Sequence, residues 1–219
     1  MQALQHLVVV DISGTIATCY SAKLFADYGA QVFNLEPEEG FPTRKIKPFI
    51  PDTNESAMHG YLNTNKKSVK TLRFEELKKK ADLVIYDQNI DQIDESTIET
   101  NTSAISWFGK TGPYHEFKGS DAMIQSLIGQ VRTIGPPEGP PILPTGYQAQ
   151  IIGGLTAYVG SLGHLLGNSL KNDAEPFHLD TAIFEANMCL TDVALLHAEA
   201  QVNITPRRGV NRFAPTYPL

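Results

Sequence analysis

The chain has 219 residues, of which 42% are hydrophobic and 19% charged, values typical of a soluble globular protein with one large core. Its net charge of -6, with 18 basic residues spread along the chain, provides no basic field for duplex nucleic acid, so nucleic acid is not expected as a partner. The two cysteines, Cys19 and Cys189, lie far apart and predict neither a disulfide framework nor a metal knot.

The first 36 residues predict a strand, a helix and a second strand. A continuous apolar run over 6–11 predicts a buried parallel strand. Over 16–28 the apolar residues recur at helical spacing, and this pattern ends at Gly29, a suitable C-terminal cap. The second strand is predicted over 30–36. Because the segment before this unit has neither the basic region nor the cleavage site of a signal peptide, we expect a cytoplasmic protein.

The middle of the chain continues the alternation of strands and helices. Residues 37–60 have little periodicity and predict a long surface excursion. Strands are then predicted at 68–72, 81–87 and 103–108, with a short helix at 74–80. This order favours an α/β doubly wound sheet, whose crevice lies at the carboxyl ends of its strands. Functional groups are therefore expected in "DISGT", "YDQN" and "FGKTGPY".

The last third of the chain predicts helices at 121–129, from Gly146 onward, and at about 181–201. No Asp, Glu, Lys or Arg occurs from Gly139 to Leu170, but prolines and glycines dilute the apolar content, so a buried helix is expected and not a membrane span. In the helix at 181–201 an apolar face including Ile183, Met188, Val193 and Leu196 is expected to be buried.

Several kinds of chemistry find little support. A dinucleotide site is suggested by Glu36 at the end of the second strand, yet Gly14 is alone where a pyrophosphate loop needs two or three glycines. The histidines show no metal-ligand spacing, and no serine stands in a GxSxG setting. Cys19 lies near a helix start, where a packed apolar cysteine is a commoner outcome than a reactive one. No metal site is predicted.

An ordered set of motifs resembles the family III CoA-transferases, which include formyl-CoA transferase, carnitine CoA-transferase and 2-methylacyl-CoA racemase. The set extends over essentially the whole chain. It comprises "VVDISGTIATCYSAKLFADYGAQVFNLEPEEG", "LNTNKKSV", "ADLVIYD", "ISWFGKTGPY", "GSDAMIQSLIG", "GPP", "GGLTAYVGSL", "HLDTAIFEAN" and "NRFAPTYP".

The resemblance implies a Rossmann-like large domain with a doubly wound, mainly parallel sheet and flanking helices. It assigns residues 1–202 to this domain and residues 203–219 to an extended tail leading toward a missing second domain. Family chains are about twice this length and interlock as ring-like dimers. The implied ligands are CoA and acyl-CoA, and the implied partner is a second copy or a second CoA-transferase half.

The resemblance also identifies a chemical deficit at Gln150. In the transferases an aspartate shortly before the glycine pair attacks the acyl-CoA thioester and carries the acyl group covalently. Counting back from Gly153 and Gly154 places Gln150 at that position. A carboxamide is uncharged and cannot form the mixed anhydride. The aspartate and histidine that the racemases use correspond to Gln150 and Ser120, next to Asp121.

The CoA site is only partly matched. By resemblance, Gly14 and Thr15 approach CoA in the first loop, Asn65 and Lys66 match the family's "NK", and Lys118 matches a lysine of the CoA site. Two positions depart from the family. Pro37 stands where an arginine is common, and "DQNID" replaces an Asn-Phe-x-Pro-Gly-like turn.

Three functions follow from these observations. The first is a catalytically silent CoA-transferase half. The second is an active transferase or racemase in which Asp121 or a partner supplies the carboxylate. The third is an NAD-binding oxidoreductase, which the missing glycines disfavour.

Overall fold

The protein is built around a six-stranded sheet in which every strand pairing is parallel. The structure, a computed structural model, describes residues 2–70, 74–89, 93–95, 99–191, 199–200 and 207. The strand order is β3-β2-β1-β4-β5-β6. The strands are β1 Val8–Asp11, β2 Gln31–Glu36, β3 Lys67–Lys70, β4 Leu83–Asp87, β5 Thr102–Ser106 and β6 His178–Ala182. The predicted α/β class with a doubly wound parallel sheet is confirmed.

Helices connect these strands on both faces of the sheet. They are α1 Ile16–Asp27, α2 Ala57–Leu62, α3 Phe74–Lys78, α4 Asp121–Leu127, α5 Gln148–Ser169 and α6 Ile183–Met188. Single 3₁₀ turns cover Pro42–Lys45, Gln130–Thr133 and Cys189–Thr191. Within the described ranges, no helix is both long and apolar enough to cross a membrane.

The first β-α-β unit follows local sequence signals closely. The Thr15 hydroxyl accepts a hydrogen bond from the Thr18 amide and so caps α1, whose first amides have no partner inside the helix. At the other end Gly29 adopts φ +102°, a conformation open to glycine. The predicted strand, helix and strand are confirmed.

The core is divided between the two faces of the sheet. On one face, α1 and α5 pack on alternate residues of the central strands, represented by Val9, Ile85 and Ile105. On the other face, Val10, Leu35 and Val84 contact the partly buried Leu77 of α3. Each central strand is therefore covered twice, which explains why these segments read as unbroken apolar runs.

Three features of the second half of the chain and of the excursion differ from the sequence predictions. The helix predicted from residue 181 is wrong at its start, because residues 178–182 form β6 and helix α6 begins at Ile183. Met188, expected on the buried face, is exposed. Val193, Leu196 and the predicted tail apart from Arg207 lie outside the described residues. In the excursion, Ser56 caps the short helix α2, which periodicity did not indicate.

The glycines of α5 serve two different purposes. A Cβ atom on Gly153 would approach Ile183 to 2.7 Å, and one on Gly160 would approach Leu179 to 3.0 Å, so these glycines permit close contacts with α6 and β6. Gly154 faces α1, where a Cβ would lie 2.5 Å from the Ala17 carbonyl oxygen. Gly163 and Gly167 have no atom within 4 Å of this position, so close packing does not require glycine there.

Candidate functional site

The loop after β1 is fixed by hydrogen bonds to Asp11, the last residue of that strand. One oxygen of Asp11 accepts hydrogen bonds from the amides of Ser13 and Gly14, both at 3.2 Å. Gly14 is buried with φ +64°, and the Phe41 ring fills the space that a Cβ would occupy, with ring atoms 2.0–2.4 Å from that position. Thr15 is half-buried at the start of α1. The candidate CoA-binding glycine is therefore covered by an aromatic side chain of the excursion.

Lys66 lies beside Asp11 in a buried polar cluster. Its ammonium donates to the Cys19 carbonyl at 2.7 Å and to the Asn63 side-chain oxygen at 3.0 Å. Burial lowers the pKa of Lys66, an effect opposed by Cys19 and Asp11. Burial raises the pKa of Asp11, and the Lys66 charge acts against that rise. Burial likewise raises the pKa of the Cys19 thiol, which favours the packed cysteine over the reactive one.

Glu36 is fully engaged within the protein. Arg44 donates to both of its carboxylate oxygens at 2.7 Å, Ser68 donates to one at 2.7 Å, and the Phe41 amide to the other at 3.2 Å. Burial alone would raise the pKa of Glu36, but these donors hold it at about 2. Because neither oxygen is left for a ribose hydroxyl, these contacts argue against the dinucleotide alternative.

This ion pair predicts a pH-dependent stability. The pKa of Glu36 is below its unfolded value of 4.5, so its stabilisation is complete above pH 4.5 and is lost as the pH falls toward 2. Replacing Arg44→Met should lower the free energy of unfolding at pH 6 by about 2 kcal/mol, allowing for solvent screening at half-exposed Arg44. Urea unfolding at pH 6 and pH 3 measures both effects.

The matched control is Lys45→Met, the adjacent exposed cation on the same 3₁₀ turn. It should leave the free energy of unfolding within about 0.5 kcal/mol at both pH values. An equal loss of stability on acidification in wild type and Arg44→Met would contradict the assignment.

Gln150 and Asp121, predicted separately, are in direct contact. The Gln150 side-chain amide donates to one oxygen of Asp121 at 2.7 Å, and its backbone amide donates to the other at 3.2 Å. Tyr147, the residue before α5, provides no side-chain cap. Asp121 therefore satisfies one of the free amides at the start of α5 from a different helix. Tyr147 and Ile151 pack near Ile16, which places the beginnings of α1 and α5 side by side.

A cavity of about 600 Å³ opens at the carboxyl ends of β4 and β5. It is lined by Gln88, Asn89, Ile93, Asp94, Gly109, Lys110, His115, Glu116 and Lys118. Lys118 is exposed, whereas Lys110 pairs with Glu95, a carboxylate that also accepts a 2.6 Å hydrogen bond from Tyr86. The lining therefore contains basic side chains that can contact phosphate groups and neutral polar side chains that can hydrogen-bond a polar ligand. It also contains two acidic residues, Asp94 and Glu116.

A second cavity, of about 470 Å³, lies at the carboxyl ends of β2 and β3. Three glutamates, Glu36, Glu38 and Glu39, line it with Arg44 and Lys70. Since Arg44 is already paired with Glu36, phosphate groups meet a less favourable field here than in the cavity beside β4 and β5.

Asn65, the last of the residues predicted to contact CoA, lines neither cavity. Asn65 is exposed with φ +64°, and its side chain donates to Asp27 at 3.2 Å. The structure thus brings Gln150 and Asp121 together and places Gly14, Thr15 and Lys66 around Asp11, while Lys118 lines the larger cavity. Within the described ranges no group of three or more His, Cys, Asp or Glu has the arrangement of a metal site.

Sequence reasoning missed Phe41, Lys110 and Glu95. Phe41 stands in a segment with no periodicity, so nothing predicted that it would pack on Gly14. Lys110 lies in the "FGKTGPY" loop, where functional groups were expected, so the motif indicated the location of the cavity. It did not indicate the ion pair between Lys110 and Glu95, because that contact depends on the fold.

Comparison with known proteins agrees with this architecture. The family model described as CoA-transferase family III matches residues 4–218. Acetyl-CoA:oxalate CoA-transferase of Acetobacter aceti is 24% identical, over 87% of this chain and 53% of that protein. Subunit BbsE of succinyl-CoA:(R)-benzylsuccinate CoA-transferase of Thauera aromatica is 25% identical, over 95% of this chain and 55% of that protein.

A solved structure gives the same picture. A CAIB/BAIF family protein from Brucella suis superposes with a TM-score of 0.82 at 25% identity, covering 94% of this chain and 60% of that one. The chain thus spans little more than half the length of these relatives. A family match over nearly every residue, together with the parallel sheet, shows that the chain belongs to CoA-transferase family III.

Proposed function

We propose that this chain binds CoA or acyl-CoA as part of a CoA-transferase assembly and does not itself carry the acyl group. The supporting observation is the side chain of Gln150, whose amide group is turned onto Asp121 at 2.7 Å. A carboxamide has no ionised oxygen with which to attack a thioester carbonyl. The covalent step is therefore assigned to a different polypeptide of the assembly, a second CoA-transferase half that carries the aspartate, because another copy of this chain would have the same Gln150.

The contacts of Asp121 support a structural role for this carboxylate. Each of its oxygens accepts a hydrogen bond from Gln150, one from the backbone and one from the side chain. Hydrogen bonds to a carboxylate stabilise its charge and reduce its nucleophilicity. Asp121 thus caps α5 from α4.

The larger cavity fits the phosphate-bearing part of CoA, a substrate and not a resident cofactor. Lys118 is exposed at its edge and His115 adds a second basic group, whereas the charge of Lys110 is already paired with Glu95. Lys118 would hold a phosphate as a point charge, since an ammonium group has three donors and no fixed plane. Asp94 and Glu116 lie in the same lining and weaken the attraction.

A second candidate function is supported by the same contact. Asp121 is a carboxylate of this chain, beside the position that carries the nucleophile in the family. In this alternative Asp121 attacks the thioester, CoA leaves as its thiolate, and the acyl group remains on Asp121 as a mixed anhydride. The two candidates differ in one observable, a covalent adduct on the purified chain.

Isothermal titration with CoA tests the retained ligand. We expect binding by the wild-type chain and about a tenfold weaker Kd for Lys118→Ala, the loss expected for one charged contact of about 1.4 kcal/mol. Lys171→Ala, an exposed cation just after α5, is the control and should leave the Kd unchanged. No binding by the wild-type chain would refute the CoA site.

Mass spectrometry separates the two candidates. The chain is incubated with acetyl-CoA or succinyl-CoA and then treated with hydroxylamine, which converts an aspartyl anhydride to a hydroxamate. The first candidate requires an unmodified chain. A hydroxamate on Asp121 would establish the second candidate instead.

A further inference from the structure

The 3₁₀ turn Pro42–Lys45 is held against helix α2 by the ring of His59. The Nδ1 atom of this ring lies 2.8 Å from the Thr43 hydroxyl and 3.0 Å from the Asn63 side-chain nitrogen. Thr43 is fully buried, two residues after Phe41, whose ring covers Gly14. The contacts of His59 thus connect α2 to the turn that carries the cover of Gly14.

Lys66 determines which atoms of this contact carry hydrogen. Its ammonium can only donate, so the Asn63 side-chain atom that lies 3.0 Å from it must be the oxygen. The same oxygen accepts a hydrogen bond from Asn34 at 2.8 Å. The amide nitrogen of Asn63 therefore faces His59, and because that nitrogen is also only a donor, Nδ1 has to be an unprotonated acceptor. The neutral ring then carries its hydrogen on Nε2.

The surroundings of the ring oppose its protonation. Burial lowers the pKa of His59, and the charges of Arg44, in the turn, and of Lys66, after α2, lower it further. Glu36, at the end of β2, acts in the opposite direction. An imidazolium would also direct an N–H toward the Asn63 amide, which has none of the lone pairs needed to accept it. Acid therefore favours any state in which Nδ1 reaches water.

We propose that His59 is an acid-sensitive latch whose protonation releases the turn, and with it the Phe41 ring, from Gly14. Nδ1 lies between the turn and α2, so these two have to separate before it reaches water. Gly14, the residue that becomes uncovered, is the glycine predicted to approach CoA. The movement is measurable in the absence of CoA, so the inference does not depend on the proposed function.

A second contact holds the same turn and limits the extent of opening. Glu36 pairs with Arg44 and accepts a hydrogen bond from the Phe41 amide. Its pKa of about 2 keeps this carboxylate ionised throughout the range in which a histidine titrates. Protonation of His59 should therefore increase a minor open population without unfolding the segment.

Cys19 reports the opening of the turn. Its side chain is fully buried in a cluster with Phe41 and Leu62, whereas Cys189 is exposed and serves as an internal standard. A dithiodipyridine reagent labels thiols in mildly acidic solution, and peptide mass spectrometry assigns each rate to its cysteine. Lowering the pH from 7.5 to 5.5 should raise the ratio of the Cys19 rate to the Cys189 rate by up to about tenfold, because the open state gains a factor of about ten per pH unit below the histidine pKa of about 6.5.

The matched variant is His59→Asn, in which the asparagine oxygen replaces Nδ1 as an acceptor and does not titrate. Its ratio of labelling rates should stay low at both pH values. The control His6→Asn removes an exposed histidine and should retain the wild-type response. Circular dichroism verifies that both variants fold. A wild-type ratio that does not change with pH would overturn the proposal, and so would an unaltered pH response in His59→Asn.

Nuclear magnetic resonance of the wild-type chain tests the latch without a substitution. The ring nitrogen chemical shifts of His59 distinguish the two neutral tautomers, and at pH 7.5 they should identify hydrogen on Nε2. Hydrogen on Nδ1 at this pH would contradict the acceptor role on which the latch depends.

Discussion

The double variant Asp121→Asn/Gln150→Asp is expected to form a covalent acyl adduct with acetyl-CoA or succinyl-CoA, and Gln150→Asp alone is expected to form far less at neutral pH. The reason is the contact between the two side chains. Gln150 and Asp121 are 2.7 Å apart, so the single substitution would place two carboxylates side by side. Two unit charges 4 Å apart repel by about 4 kcal/mol at an effective dielectric constant of 20.

That repulsion makes the two carboxyl groups share a proton. One group of such a pair titrates with a strongly raised pKa, and the pair loses its second proton only at higher pH. Adduct formation by Gln150→Asp should therefore rise as the pH increases. The second substitution removes this effect, because asparagine at position 121 retains an oxygen for the Gln150 backbone amide and offers an amide to the introduced carboxylate.

Hydroxylamine trapping across pH 5 to 9 provides the measurement, with Asp121→Asn alone as the control that contains neither carboxylate. We expect a nearly flat profile for the double variant above pH 6, and no adduct for the control. An adduct-free double variant would mean that more than the nucleophile is missing from this chain. An adduct on the wild-type chain that Asp121→Asn abolishes would support the second candidate function.

The second large effect concerns Gly154, which sets the distance between α5 and α1. In Gly154→Ala the added methyl would lie 2.5 Å from the Ala17 carbonyl oxygen and 3.3 Å from the Ser21 amide nitrogen, so a backbone must move. Overpacking of this kind costs about 1–3 kcal/mol, and more where no side chain can adjust. We expect the Tm to fall by about 5–10 °C, at about 2–4 °C per kcal/mol.

Gly167→Ala is the control on the same helix. Nothing lies within 4 Å of its Cβ position, so only the conformational effect remains, and alanine should raise the free energy of unfolding by about 0.5–1 kcal/mol. Calorimetry of the two variants should thus give shifts of opposite sign. Two shifts of the same sign would indicate that the α1–α5 contact does not set the stability.

The sequence was sufficient to predict the elements that carry their own local signals. Strands β1 and β4 are continuous apolar runs buried on both sides, and α1 has a capping threonine and a terminal glycine. Strand β6 has neither signal. Its residues, HLDTA, form neither a continuous apolar run nor a strict alternation, and among the described strands it pairs with β5 alone, so its identity depends on the strand beside it.

The candidate site was predictable residue by residue but not as an arrangement. Position 150 was identified by counting along the chain and Asp121 by its neighbour Ser120, yet their hydrogen bonds join residues 29 positions apart. Contacts of that kind depend on how α4 meets α5. The same holds for Phe41, which reaches Gly14 from a segment that shows no periodicity.

Two separate cavities lie at the carboxyl edge of the sheet, and the ring of Phe41 covers Gly14 in the loop of the strand between them. That strand is β1, with one cavity beside β2 and β3 and the other beside β4 and β5. A dinucleotide binds in one continuous cleft that crosses the loop after the central strand. We therefore expect the phosphates of a ligand to lie on one side of this loop, over the cavity that Lys110 and Lys118 line and away from the three glutamates.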